Sequence, residues 1–319
     1  MIRKSEIDSL KGLAIIGVVV VHMSFYSRFN AETIKIIHLL QIIFGWCVIA
    51  FFFSAGLVSK KVKSDYLIDF LRKKVKRLII PCVYFSLAYK LMLAGISYLG
   101  FSSYSSTNPE DLIDLLLVII SPVGPQFYFL YYLFGCFLIT SILELFLSRN
   151  LIFVFGMVVL PISYYFIESP SNSFGPDANL IPIYLYSYVL GMLLSKYNSE
   201  NLNKLYVFCA LSISLVILIL TNNQYVVFIQ LYIPIIIWLA FMKLSFISNF
   251  FNKTQLGINS GGIYVWHTPI VLPTVSVLFS KLMGGGLLVI LPIMIFTMVI
   301  SILISRLTYK YEFLRLLRF

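Results

Sequence analysis

Long apolar runs separated by short polar connectors follow one another along the chain. A run of about 20 apolar residues is long enough to cross a bilayer as a helix. Such runs occur near 11–28, 36–58, 78–97, 126–147, 151–167, 180–196, 205–221, 225–243, 260–281 and 287–307. An eleventh piece at 112–122 is too short and is predicted as an interfacial or re-entrant helix. The pattern predicts an all-α, polytopic integral membrane protein of about ten transmembrane helices, forming one domain over residues 1–319.

Composition supports the membrane prediction and excludes a soluble protein. The chain is 60% hydrophobic and 12% charged, with a mean hydropathy of +0.94, whereas soluble domains are about half apolar and a quarter charged. Arg3 and Lys4 precede the first run, as basic residues precede the apolar part of a signal peptide. That run is about eighteen residues long and no small-residue cleavage pattern follows it, so it is predicted to be a retained span.

The net charge of +11 is compatible with nucleic acid or with anionic lipid, and the positions of the charges decide between them. Basic residues concentrate in the cytoplasmic segments of membrane proteins. With a cytoplasmic N-terminus, all 24 basic residues fall on the cytoplasmic side except Arg28, Lys35, Lys90 and Lys281. The distribution predicts that both termini are cytoplasmic. It favours contact with membrane lipid and gives no reason to expect nucleic acid.

The first run carries a stripe of ionisable residues, Asp8, Lys11 and His22. Eleven residues make about three helical turns and a rise of about 16 Å, so Lys11 and His22 point to one side, and Asp8 lies within about 40° of them. An ionisable residue deep in a membrane helix is costly and is a functional candidate. We predict that His22 is a general base or an acyl acceptor, assisted by Lys11 and Asp8. The alternative is an anchoring charge and a packing histidine.

A basic loop from Ser59 to Arg77 precedes the third run, with eight basic and two acidic residues. Such a loop commonly determines topology and faces anionic lipid. Its end can also hold a phosphorylated ligand such as coenzyme A through charge-assisted hydrogen bonds. No glycine-rich phosphate loop accompanies it. The candidate cofactor-binding residues here are Arg72, Lys73, Lys76 and Arg77.

Two weaker candidates lie in later runs. Tyr264 and His267 are three residues apart and share a helix face, so they can serve a site or simply pack beside Pro269. Gln126 and Tyr128, at the start of the fourth run, can contact a polar acceptor or belong to an aromatic belt. The four scattered cysteines and the rest of the chain show no metal-ligand spacing, so no metal and no disulfide is expected.

Four of these segments, in this order, resemble motifs of the membrane acyltransferase family 3, which comprises integral-membrane O-acyltransferases acting on surface polysaccharides. The segment from Asp8 to His22 is similar to the family's first-span motif of a basic residue and a histidine. Phe51–Leu57 resembles its Phe-Phe-x-x-Ser-Gly element. Arg72–Pro81 and Ile263–His267 resemble its basic stretch before the third span and its late Tyr-x-x-His element.

The chain departs from the family pattern at four positions. Lys11 stands where the family most often has arginine, so a point charge replaces a bidentate group. Ala55 separates the serine from the glycine of the second-span element. Tyr128 replaces a commoner tryptophan, and Gln126 lies near a position that is often histidine.

The resemblance implies transfer of an acyl group, most often acetyl, from cytoplasmic acyl-coenzyme A to a hydroxyl of a surface polysaccharide or lipid-linked glycan at the cell membrane. In this interpretation acetyl-CoA binds the basic segment, Tyr264 and His267 steer the thioester, and His22 acts as base or acyl carrier. A transporter that exports a glycan or lipid-linked intermediate past Lys11 and His22 is the competing hypothesis. The acceptor, the acyl group and the oligomeric state stay open, with a homodimer as one alternative.

Overall fold

The computed structural model describes residues 5–23, 29–98, 127–156, 181–195 and 225–310, and the regular elements in these ranges are all helical. The helices are α1 (Ser5–His22), α2 (Ala31–Phe44), α3 (Cys47–Leu57), α4 (Leu67–Lys74), α5 (Ile80–Tyr98), α6 (Tyr128–Phe146), α7 (Ile181–Leu194), α8 (Tyr225–Lys243), α9 (Ser245–Thr254), α10 (Ser260–Trp266), α11 (Leu272–Met283) and α12 (Ile290–Lys310). Single π-helical turns, Val75–Ile79 and His267–Val271, precede α5 and α11.

The all-α prediction is confirmed for the described part of the chain. The apolar runs there coincide with helices, and the second run is two helices broken at Gly45 and Trp46. Two helices were not predicted: α4 lies in the segment interpreted as a basic loop, and the polar residues of α9 interrupt the apolar pattern. The run at 205–221, most of the run at 151–167 and the piece at 112–122 lie outside the described residues.

Three of the described helical stretches are long and apolar enough to cross a membrane: Ala31–Leu57, Tyr128–Phe146 and Leu287–Thr308. Gln230–Lys243 and Phe246–Thr254 make a fourth if this pair, bent by 103°, is one broken span. These helices support association with a membrane. The count of ten spans and the cytoplasmic position of both termini stay predictions.

Helix α1 is the axis around which the other helices pack. It contacts α2, α3, α8, α9, α10 and α12. Its buried residues, among them Leu10, Ile15 and Val19 at 0% exposure, lie all around the helix. A helix that is apolar on every side is stable only when it is surrounded, and its valines and isoleucines are weak helix formers. Packing against six neighbours therefore holds α1 in place.

The closest helix crossing joins α3 to α7 through two glycines. A Cβ atom at Gly56 would overlap the carbonyl oxygen of Tyr188, and a Cβ atom at Gly191 would overlap that of Phe53. Small residues let two helix backbones approach within van der Waals contact, which is a common way to join helices in membranes. The hydroxyl of Ser187 donates to Ile49 O across the same crossing at 3.2 Å. Gly56, part of the second-span element, thus has a packing role.

Gly56→Ala should destabilise the protein, because the new methyl group meets backbone that cannot rotate away. Overpacking of this kind costs about 1–3 kcal/mol. Gly135→Ala on α6 is the matched control, since a Cβ there meets nothing within 4 Å, and alanine is favoured over glycine in a helix by about 1 kcal/mol. The measurement is the temperature at which each purified variant loses its monodisperse size-exclusion peak. If Gly56→Ala and the wild type melted at the same temperature, the close packing of α3 on α7 at Gly56 would be contradicted.

Glu144 and Arg149 form a buried ion pair that ties the loop after α3 to α6. The Nε–H of Arg149 donates to a Glu144 carboxylate oxygen, and the side chains are only 11% and 2% exposed. Arg149 Nη1 donates to Ser59 O at 3.3 Å, and Val62 N donates to the other Glu144 oxygen at 3.4 Å. The hydroxyl of Tyr188 donates to Ser59 Oγ at 3.0 Å. The start of the basic loop is therefore fixed to both α6 and α7.

Removing one partner of this pair should lower the free energy of unfolding more than removing both. Glu144→Leu leaves a buried guanidinium without its counter-ion, which costs about 3–5 kcal/mol, whereas replacing both charges by apolar residues is often nearly neutral. Glu144→Leu should therefore melt well below the wild type, and adding Arg149→Leu should recover most of the loss. A double variant no more stable than Glu144→Leu alone would show that the pair does not act as a unit.

Candidate functional site

The ninth apolar run, predicted as one span, is divided in the structure directly after His267. Thr268 has φ −119° and ψ 147° in the middle of the π turn, so the helical path is interrupted there. Thr268 precedes Pro269, and a residue before proline is pushed out of the helical region by the proline ring. Single π turns in helices often mark functional sites. The break places His267 at the end of α10.

His267 and His22 face each other although 245 positions separate them. Their Nε2 and Nδ1 atoms are 3.4 Å apart, and the ring centroids are 5.1 Å apart with the planes at 70°. His22 Nδ1 also lies 2.8 Å from Val18 O. His267 is fully buried, while His22 is partly exposed. The sequence singled out both histidines, but only the packing of α10 on α1 brings them together.

The end of α1, which carries His22, is held by a side chain of α2. Gln41 donates from Nε2 to Val21 O at 2.7 Å and contacts His38 Nδ1 through its Oε1 at 2.9 Å. The last carbonyls of a helix have no partner within the helix, so a side-chain donor there stabilises its end. Gln41 is buried and His38 is exposed. This contact sets the position from which His22 projects.

A cleft of about 310 Å³ opens beside the start of α1. One set of its residues is charged: Asp8, Lys11, Lys74 and Arg77. The other lining residues are mainly apolar and aromatic, and they lie in or next to α3, α6, the π turn before α5 and α10. They are Phe51, Ala55, Val58, Leu78, Phe129, Leu130, Leu133, Phe137, Gly257, Ile258, Ser260, Gly261 and Tyr264. A polyanion with an apolar arm would find a complementary surface here.

Tyr264 connects the cleft to the histidine pair. Its ring lines the cleft, packs against Phe129 and Phe51 at centroid distances of 4.9 and 6.3 Å, and lies 5.9 Å from the ring of His267. The i, i+3 spacing predicted that Tyr264 and His267 share a face. Tyr264 is thus the side chain between the cleft and the two imidazoles.

Lys74 is the cleft residue that sequence reasoning left out of the site. Its Nζ lies 3.5 Å from the ring centroid of Phe137 and 5.1 Å from that of Phe70, a cation–π arrangement that stabilises the charged amine. Burial, and then the positive charge of Arg77, lower the pKa of Lys74 to about 8. The spacing of Phe70, Lys74 and Arg77, four and three residues apart, is the signal that places them on one face.

The start of α1 reaches the cleft because a glycine allows it to approach the turn before α10. A Cβ atom at Gly257 would overlap the carbonyl oxygen of Asp8, and a Cβ at Gly12 would lie 3.2 Å from Gly257 N. Ser9 supports the same approach, because its hydroxyl donates to Ser248 O on α9 at 3.1 Å. Asp8 and Lys11 are thereby held against the opening of the cleft.

The structure brings some of the predicted site residues together and leaves others apart. Asp8, Lys11, Arg77 and Tyr264 all line the cleft. The other three candidates of the basic segment are exposed and are not among its lining residues: Arg72, Lys73 and Lys76.

Of the two candidates for acceptor binding, Tyr128 is not among the residues that line the cleft. Tyr128 packs against Tyr132 and Tyr184, with ring centroids 5.5 and 6.4 Å away. Tyr184 in turn stacks on Phe52 at 4.4 Å. Tyr128 therefore belongs to an aromatic cluster that joins α3, α6 and α7. Gln126 lies outside the described residues.

Cations beside an apolar cleft, with an imidazole pair behind its aromatic wall, form a constellation suited to transferring a group from an anionic carrier. No curated protein and no solved structure matches the chain significantly. The acyltransferase domain of the acyltransferase 3 family, however, matches residues 4–306. Because this match spans nearly the whole chain, the protein belongs to the acyltransferase 3 family and is an acyltransferase.

Proposed function

We propose that the protein transfers an acetyl group from cytoplasmic acetyl-coenzyme A to a hydroxyl of an extracytoplasmic or cell-surface polysaccharide, at the plasma membrane. The observation that carries this proposal is the lining of the cleft. It combines the cations Lys11, Lys74 and Arg77 with Tyr264, whose ring lies 5.9 Å from that of His267. A phosphorylated carrier bound at the charged end would direct its arm towards the imidazoles.

The charged end of the cleft is the proposed donor site. Arg77 can hold a phosphate through two parallel hydrogen bonds, and Lys11 and Lys74 add point charges. The apolar walls formed by residues such as Leu130 and Phe137 would exclude water from the uncharged arm of the donor. The exposed residues Arg72, Lys73 and Lys76 would raise the local concentration of the anionic donor or contact anionic lipid, effects that salt screens.

His22 is the proposed reactive group, through Nε2. Val18 O can only accept a hydrogen bond, so the nitrogen 2.8 Å from it, Nδ1, carries the hydrogen and Nε2 carries the lone pair. As a general base, Nε2 takes the proton of the acceptor hydroxyl while its oxygen bonds to the thioester carbonyl carbon. The carbon–sulfur bond then breaks, and the departing thiolate takes the proton from His22 to give the free thiol.

The second form of the mechanism uses the same nitrogen. Nε2 attacks the thioester carbonyl, the thiolate leaves, and the acetyl group is bound to His22 until the acceptor hydroxyl takes it. The acceptor then transfers its proton to the imidazole, which passes it to the thiolate. In both forms Nε2 must reach the thioester, and Nδ1 keeps its hydrogen. Tyr128, the first residue of α6, and Gln126, two positions earlier in the sequence, are proposed to contact the acceptor glycan.

Loss of the His22 imidazole should abolish acetyl transfer. Purified protein in lipid is incubated with acetyl-CoA labelled in the acetyl group and with the host polysaccharide, and label on the polysaccharide is measured by mass spectrometry. The wild type should transfer label, and His22→Ala should not, at equal protein level and with the same size-exclusion profile. Normal transfer by His22→Ala would refute the assignment. Absence of transfer by the wild type, together with passage of the glycan across the vesicle membrane, would favour a transporter.

Donor affinity should fall as the pH rises through about 8, because the pKa of Lys74 is about 8 and the amine is neutral above it. Phosphate groups are already ionised between pH 7 and 9, so titration of the coenzyme A phosphates does not contribute. Loss of a charged hydrogen bond costs about 1.5–3 kcal/mol, so the dissociation constant of desulfo-coenzyme A should rise by about tenfold or more.

Two lysine variants separate this effect from a general response to pH. Lys74→Met should bind weakly at pH 7 and show little change up to pH 9. Lys73→Met, one residue away and exposed, should keep the wild-type pH dependence. Isothermal titration calorimetry measures both. A pH dependence that persists in Lys74→Met would exclude Lys74 as its origin.

A further inference from the structure

We propose that His267 is a positioning residue for His22: it accepts a hydrogen bond from the Nδ1–H of His22 and touches neither donor nor acceptor. This inference rests on the proposed function, because it gives His267 a role in the reaction of His22. Four contacts carry it: two between His267 and backbone carbonyls, one between His22 and a backbone carbonyl, and one between the two rings. Together they determine which nitrogen of each ring carries the hydrogen.

The tautomer of His267 follows from the end of α10. Its Nδ1 lies 2.8 Å from Tyr264 O and 3.1 Å from Ile263 O. Carbonyl oxygens only accept, so Nδ1 must be the donor, and a neutral imidazole has one hydrogen. The lone pair of His267 is therefore on Nε2, the atom 3.4 Å from His22 Nδ1.

The tautomer of His22 is the complementary one. Val18 O, 2.8 Å away, requires a hydrogen on Nδ1. The same N–H also points towards the lone pair of His267, so a donor meets an acceptor across the 3.4 Å contact. Placing the hydrogen of His267 on Nε2 would instead set two N–H groups against each other and leave Tyr264 O without its donor. One arrangement of hydrogens satisfies all four of these contacts, and in it the lone pair of His22 is on Nε2.

The break in the helix makes this arrangement possible. The two carbonyls that hold His267 belong to the last turn of α10, where the helix ends before Thr268. Ile263 O also accepts the backbone N–H of His267. Carbonyls nearer the end of a helix lack partners further along it, so Tyr264 O is the more available acceptor for the imidazole N–H. The proline that causes the break therefore also provides the anchor that orients the His267 ring.

Burial separates the roles of the two histidines. His267 is 0% exposed, and both of its ring nitrogens face protein atoms. His22 is partly exposed and is the ring of the pair that a substrate can reach. When Nε2 of His22 takes a proton, its Nδ1–H becomes a stronger donor, shared between Val18 O and His267. A neutral imidazole thus takes the place that a carboxylate holds behind the histidine of a serine protease, without adding a negative charge.

Two substitutions of His267 test the acceptor role. The amide oxygen of His267→Gln can accept the same hydrogen bond, and the ring of His267→Phe cannot. We expect the kcat of His267→Phe to fall by about 10- to 100-fold, from the loss of a hydrogen bond to a charged donor, with an unchanged KM for acetyl-CoA. His267→Gln should recover most of that loss. A raised KM with an unchanged kcat would mean that His267 contacts the donor and would overturn the proposal.

A second measurement reads the tautomer directly and does not depend on activity. The chain has 3 histidines, so protein labelled with ¹⁵N-histidine gives three pairs of ring nitrogen signals, which His22→Ala and His38→Ala assign. In the wild type, His22 and His267 should each show a protonated Nδ1 and an unprotonated Nε2. In His267→Gln the His22 tautomer should persist. A protonated Nε2 on either ring of the wild type would overturn the proposal.

The outcomes for His267 are distinguishable from those for the proposed function. Wild-type acetyl transfer that is lost in His22→Ala but unchanged in His267→Phe would overturn the positioning role and leave the function standing. Absence of acetyl transfer by the wild type would remove the proposed function and, with it, any role of His267 in acetyl transfer. If His267→Phe does not fold, the pairing is decided by the wild-type nitrogen signals and by the kcat of His267→Gln.

Discussion

The burial of α1 among its neighbours places three of the candidate site residues, Asp8, Lys11 and His22. The first two turns of this helix carry Asp8 and Lys11 to the cleft, its last residue is His22, and six helices contact it in between. Tight packing of an apolar helix fixes its rotation and its depth. One rigid element therefore fixes Lys11 and His22 relative to each other, with a spacing of about 16 Å along its axis. Lys74, Arg77 and His267 are brought to them by other helices.

Several ionisable side chains in this apolar bundle are compensated by specific contacts. Glu144 is neutralised by Arg149, Lys74 lies over two phenyl rings, and the two histidines satisfy backbone carbonyls and each other. A buried polar group without a partner would cost several kcal/mol. Some of their contacts also join segments that are far apart in the chain: Glu144 with Val62, Lys74 with Phe137, and His22 with His267. The contacts that compensate for the burial of these polar groups thus also hold the loop after α3, and the helix broken between α10 and α11, at the site.

Local features of the site were predictable from sequence, and long-range ones were not. Apolar runs of about 20 residues locate helices, and i, i+3 spacing places Tyr264 beside His267. The 245-residue contact between the histidines, and the pairing of Glu144 with the loop after α3, depend on which helices are neighbours. Periodicity along one helix does not indicate which other helices it packs against. The break at Thr268 has a local signal in Pro269, but its consequence, the anchoring of His267, required the fold.

The wall formed by Phe51, Phe129 and Tyr264 bears on whether protons can leak across the membrane through the protein. Acetyl transfer between the two faces of a membrane requires a passage, and a continuous file of water through it would let protons run down their gradient. All three rings line the cleft, whereas neither histidine does. Uncharged aromatic side chains in contact at 4.9 and 6.3 Å present a poor medium for a hydrated proton. In the proposed reaction the same aromatic wall would both guide the thioester and limit proton leakage through the protein.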